Sequence, residues 1–329
     1  ADFNVAIGEG ALSADTLGSK SIAIGVNALN EQNFTTSTNA LNVAIGHLAG
    51  AAVTTAVQNT LIGALSGDAL TQGARNTTLG YLSLTSDTMG QYAVAIGYNA
   101  LATQNFTTAT NNYNIGIGYA AGEAVTTGFQ NTLVGGLAGD ALTDADFNTV
   151  LGYAALTSDT LGSSSVAIGR HALLSQNFTT ATNTYNTAVG ESAGQAVTTG
   201  TDNTFVGGLC GDGTDDGGNN TAMGAAALSA NCGSFNTAMG AAALNVCTGA
   251  DNTAVGYAAG FQVTSGTNNL ALGHDALRSG SPGGPASTDN NVIGLGDENI
   301  ASLHCQVALT VSSDQRDKTD FVDLDLGLD

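Results

Sequence analysis

The chain has 329 residues, 45 of them glycine, with 10% charged residues, no tryptophan, and a net charge of −21 from 27 acidic and 6 basic side chains. Such a surface repels phosphate backbones and disfavours nucleic-acid binding, while a hydrophobic content of 43% excludes a disordered polar tract. No run approaches the roughly 20 apolar residues that span a bilayer, the opening residues lack signal-peptide layout, and a first residue of Ala points to a fragment or a processed product.

From Asn4 the chain writes NVAIG and then repeats the phrase with small edits: SIAIG, NVAIG, NTLIG, NTTLG. The closing glycines are Gly8, Gly25, Gly46, Gly63, Gly80, Gly97, Gly118, Gly135, Gly152, Gly169, Gly190, Gly207, Gly224, Gly240, Gly256, Gly273 and Gly294. Their intervals are mostly 17, with variants of 16 and 21. Gly8, Gly80, Gly152 and Gly224 are 72 apart, and the long intervals carry one insert, QNFTTST from Gln32 and QNFTTAT from Gln104 and Gln176. A block of four turns was therefore duplicated. Ile, Leu, Val or Met precedes every closing glycine. Asn stands four before it in fourteen phrases, with Ser21, Ala93 and Ser165 the exceptions. Three and four after it come a small residue and then Leu or Gly, largely in pairs.

A phrase this short, closed by glycine, suits a strand rather than a helix. Helical repeats need about 34 to 47 residues per unit. One such short repeat makes no core alone, but coils stacked at about 4.8 Å align identical columns and pair each backbone with its neighbours. The expected fold is all-β: a parallel β-roll or β-solenoid of about 17 coils of 16–21 residues with a 72-residue super-repeat. Sixteen intervals give a shaft of roughly 77 Å. Asn side chains are expected to form a ladder, and each glycine to supply a positive φ or a cramped corner. Ile7, Ile24, Ile45, Ile62, Ile96, Ile117 and Ile168 are expected to form one buried ladder. So thin a coil buries little apolar area per residue, so a close-packed homotrimer is expected to cover a second face. The shaft is read over 1–278, a Gly/Pro break and transitional cap over 279–311, and a distinct tail over 312–329.

Few residues carry chemistry. Cys210, Cys232, Cys247 and Cys305 form no CxxC pair, which disfavours zinc. Cys232 and Cys247 lie in consecutive repeats and could approach, within or between chains. Asp212, Asp215 and Asp216 in GDGTDDGGNN are spaced as oxygen ligands for Ca²⁺ could be, but the EF-hand frame is missing and a plain acidic loop is the preferred reading. His47, Arg170 and His274 follow closing glycines, where Tyr81, Tyr98, Tyr119, Tyr153 and Tyr257 also stand, so that column is expected to face solvent or a neighbouring chain. The inserts hold N-x-T sequons at Asn33, Asn105 and Asn177 and are expected to protrude.

The N-[ST]-[AV]-[AVI]-G-x-x-A-[LG] phrase is similar to the head repeats of trimeric autotransporter adhesins, which are usually shorter. NTAVGYAAG (residues 252–260) and NTAMGAAALSANCGSFNTAMGAAAL (220–244) resemble bacteriophage tail-fibre shafts more closely, and the resemblance covers about residues 4–296. The tail TVSSDQRDKTDFVDLDLGLD (310–329) resembles the opening of the intramolecular-chaperone domain that ends many phage tail fibres and endosialidases. That resemblance implies cleavage between Ser313 and Asp314, with Ser313 as nucleophile and Lys318 as base. The chain stops on the order of a hundred residues before such a domain would end.

These features point to a structural and attachment protein: a homotrimeric phage tail-fibre shaft on the virion tail, outside the cell, that positions recognition of a host receptor or glycan. The alternative is a bacterial trimeric adhesin or other extracellular filament. An enzyme would need an acidic pair or a triad outside the repeat columns, and the sequence offers none. The only chemistry expected is a single self-cleavage at the tail. No cofactor, nucleic acid or membrane insertion is expected.

Overall fold

The structure, a computed structural model, describes residues 2–282 and 284–304. Over 1–298 it is one compact unit of stacked coils, with strands and turns and no helix among the described residues. Seventeen three-residue strands, from Val5–Ile7 to Ile293–Leu295, form a single parallel sheet. Each strand pairs in register with the next along the chain, as in Ala23↔Ala44 and Ala167↔Ala188. The fold is a parallel β-solenoid with one strand of this sheet per coil. Residues 299–304, the described part of a second unit, hold no strand.

Period-two alternation decides which side chains enter the coil, and the decision is the reverse of the expected one. The middle residue of each strand points inward and is buried in sixteen of the seventeen strands. These middle residues are mostly Ala, as in Ala23, Ala95 and Ala238, with Leu61, Leu133, Val150 and Phe205 among them. The aliphatic residue before each closing glycine points outward. Ile24, Ile45, Ile62, Ile96, Ile117 and Ile168 are half-buried, and Ile7 is exposed on the end rung. The expected buried isoleucine ladder is therefore an outer one. The alternation that turns the middle residue inward turns this column outward. The coil's volume is filled instead from the next corner, where Leu29, Leu101, Leu173 and Leu244 point inward and are fully buried.

That corner explains the Leu/Gly pairing. The residue four after each closing glycine from Gly8 to Gly273 adopts a left-handed backbone whether it is Leu, as in Leu101 at φ 50°, or Gly, as in Gly50 at φ 58°. Leucine in that region is strained and persists here because its side chain is core. Where Gly stands instead, neighbouring side chains take the space: a Cβ on Gly50 would lie 2.6 Å from Leu61 Cδ1. The closing glycines are required twice over. Gly207 has φ +138°, and a Cβ there would meet the carbonyl oxygen of Gly224 at 2.6 Å.

The asparagine column is a ladder, but mainly one of side chain to backbone. Asn131 Oδ1 accepts from the N–H of Asn148 at 3.0 Å, and its Nδ2 donates to the carbonyl of Ala145 at 2.7 Å. Both partners belong to the next coil, so each Asn fastens one rung to the following one where the chain enters the strand. The pattern runs from Asn4 to Asn269. It is interrupted where Ser21, Ala93 and Ser165 replace Asn. At Asn220 the buried Nδ2 has no partner, although its Oδ1 still accepts from the N–H of Asn236, 16 residues on, at 2.9 Å.

At its C-terminal end the register differs from the expectation. Ala271 pairs with Gly294 and Leu272 with Leu295, so Gly296, not Gly294, takes the closing position beneath Gly273. NVIGLG offers two glycines two positions apart, and a shift of two keeps every side chain on its face. Val292 then stands where other rungs have Asn. This last rung lies beyond the Gly/Pro stretch.

Candidate interaction face

The outward side of the long sheet is built from two residues per strand. One column holds Thr, Val, Ile or Leu, as in Thr60, Val94 and Thr187. The other holds Ile, Leu, Val or Met. In a chain of net charge −21, none of these thirty-four side chains is charged. Many are substantially exposed: Leu79 and Leu151 at 49%, Met223 at 43% and Leu295 at 41%. The strip runs the length of the coil stack, far more than the scattered single exposures normal for a soluble surface.

Aromatic side chains edge the strip on both sides. After the closing glycines, Tyr81, Tyr98 and Tyr119 stack at 5.8 and 5.5 Å between centroids, and Tyr257 stacks on His274 at 5.3 Å. On the other edge Tyr92 and Tyr113 stack at 5.3 Å, and the Arg75 guanidinium lies 5.3 Å from the Tyr92 ring centre. These residues precede the asparagine column and have left-handed backbones, Tyr92 at φ 63° and Tyr113 at φ 52°, which swing their rings outward. Arg170 lies in the first edge column and pairs with Glu191 on the next rung at 2.6 Å, holding the Glu191 carboxyl below its ordinary range. The column expected to face outward does so.

A second, interior arrangement recurs once in each four-coil block and went unnoticed in the sequence. Asp87 Oδ1 accepts from the N–H groups of Gly90 at 3.0 Å and Phe106 at 3.1 Å, and Oδ2 accepts from Gln104 Nε2 at 2.6 Å. Gln104 Oε1 in turn accepts from Asn114 Nδ2 at 2.8 Å. Asp159, Gln176 and Asn186 repeat this set, and Asp15, Gln32 and Asn42 repeat most of it with Asp15 half-buried. Burial pushes the Asp87 carboxyl up, against the opposing pull of its hydrogen bonds. The signal was available: Asp15, Asp87 and Asp159 each stand one full repeat before the insert glutamine. The inserts protrude only in part. Their glutamines are buried, Phe34, Phe106 and Phe178 are 5–7% exposed, and the threonines that follow face solvent.

No protein-family model matches the chain, and no curated protein does either.

The remaining candidates carry less. No group of three or more His, Cys, Asp or Glu side chains is placed to hold a metal among the described residues. In the acidic loop the Asp215 carboxylate accepts from the Thr198 hydroxyl, Asp216 is exposed, and Asp212 Oδ1 has no partner. Cys210, Cys232 and Cys247 are buried free thiols. Asn33, Asn105 and Asn177 accept from Thr16, Thr88 and Thr160 of the preceding rung. Ser313, Asp314 and Lys318, the residues of the expected self-cleavage, lie outside the described residues, as does Cys305.

Proposed function

We propose that the chain is the shaft of a homotrimeric attachment fibre of the phage tail-fibre kind, in which three copies associate through the outward face of the long sheet. The observation that carries this reading is the uncharged strip. A chain with 27 acidic side chains keeps two whole columns clear of them, and a second copy has the same rung spacing, so its columns can meet this one rung for rung. Burying the exposed aliphatics is favourable by about 25 cal/mol per Å², and the acidic surface left outside discourages side-by-side clumping. The tail serves assembly: a trimerising domain downstream holds three chains in register while they zip, and Ser313, with Lys318 as its base, then releases it in a single turnover.

Placing charge on the strip tests the association. Ile96→Glu together with Ile117→Glu should abolish the three-copy product of chemical cross-linking. Trimers that survive both carboxylates would remove this face from the assembly. With the downstream domain restored, Ser313→Ala should stop its release while leaving trimers intact, as read by mass of the expressed protein.

A further inference from the structure

Cys232 and Cys247 occupy one inward column of the coil on neighbouring rungs. Other neighbours in that column touch: Gln104 reaches Asp87 at 2.6 Å, and the Thr214 hydroxyl lies 3.2 Å from Cys232 Sγ. The backbone of the two rungs is in contact at the same level, with Gly233 N–H donating to the carbonyls of Thr248 at 3.3 Å and Gly249 at 3.2 Å. Both thiols are turned towards the asparagine column, where Asn252 Nδ2 donates to Cys247 Sγ at 3.5 Å. Parallel rungs about 4.8 Å apart fall inside the roughly 4.4–6.8 Å between Cα atoms that a disulfide spans.

We propose that Cys232 and Cys247 form a dithiol that closes to a disulfide when the chain folds in an oxidising compartment, stapling two rungs of the solenoid from inside. The oxidant is a low-molecular-weight disulfide. One cysteine thiolate attacks it, releasing a first small thiol and leaving a mixed disulfide. The other thiolate then attacks the protein sulfur, releasing the second small thiol. Two cysteine thiols lose their protons, two small thiols gain them, and one sulfur–sulfur bond is exchanged for another. Closure belongs to the folding chain because the folded one conceals both sulfurs. Cys232 and Cys247 are buried, and burial pushes the Cys247 thiol up to about 11, with Cys232 contributing, so reactive thiolate is scarce once the rungs have stacked. The same concealment would shield the finished bond from reductants. The staple lies where the repeat shortens to 16 and the Asn220 Nδ2 has no partner.

The test is thiol counting on the full chain, which has four cysteines. Protein made in a reducing cytosol and denatured should label at all four. Protein refolded in oxidised and reduced glutathione should label at two, Cys210 and Cys305, with an intact monomer mass lower by two hydrogen atoms. Cys232→Ser or Cys247→Ser should each abolish that mass loss, whereas Cys210→Ser and Cys305→Ser should leave it. Four reactive thiols after oxidative refolding, or a bridge that involves Cys210, Cys305 or a second chain, would overturn the proposal.

Discussion

Asn131 shows how one side chain can fasten two rungs. Its amide satisfies a buried N–H and a buried carbonyl of the following coil, so Asn131→Ala leaves both unpaired. With about 1–3 kcal/mol for each of the two buried groups left unsatisfied, the substitution is expected to cost about 2–6 kcal/mol in denaturant unfolding. A loss under about 1 kcal/mol, the lower bound for a single orphaned group, would mean the ladder is decorative. The buried carboxyls give a second expectation. Burial is the largest cause raising the Asp87, Asp68, Asp140 and Asp146 carboxyls, so the folded chain favours their protonated forms. That contribution is fully present below the unfolded carboxylate value of about 4 and is lost as pH rises through the raised folded values. The thermal midpoint should therefore be highest below about pH 4 and decline as pH is raised from there towards neutrality. A midpoint that rises over that window would show that these carboxylates are stabilised as anions.

At the level of the strand, Ala95 and Ile96 make opposite predictions from adjacent positions. Ala95 is fully buried, so Ala95→Asp places an unpaired charge in the coil and should cost about 3–5 kcal/mol, visible as lost β-sheet circular dichroism at moderate temperature. Ile96→Asp faces outward and should leave the sheet signal intact while weakening association. Equal damage from both would show that the two columns are both interior. This pair also marks how far the sequence could be read. The repeat, the closing glycines up to Gly273, the strand type and the four-coil block were all legible, because period and glycine placement leave few alternatives. NVIGLG offered two, and the structure takes Gly296. The inward side was not legible. In N-x-A-x-G both alternating columns can be apolar, so hydrophobicity favours Ile inside, whereas the shared core of the coil is filled from the middle column together with the corner leucines. Left-handed leucines such as Leu101 were hidden for a related reason, since glycine in the same column looks like a loosened corner rather than the sign of a shared backbone. The Asp87 network was legible in principle, because its aspartate and glutamine keep step with both the single coil and the four-coil block.

For the whole molecule, the solenoid fold stands on the structure alone, while the fibre is the proposal that rests on what the fold leaves exposed. A coil stack that turns its alanines inward and its isoleucines outward stays apolar along one side unless another copy covers it. The proposed association should therefore strengthen with added salt, as repulsion between acidic surfaces is screened, and dissociation on raising salt would argue for ion pairs at the contact instead. The most direct measurement is the native mass of the unaltered full chain at micromolar concentration. The account predicts three times the 32.5 kDa of one chain, with no substantial population at that single mass. A stable monomer that keeps its β-sheet signal, with the strip open to water, would contradict it.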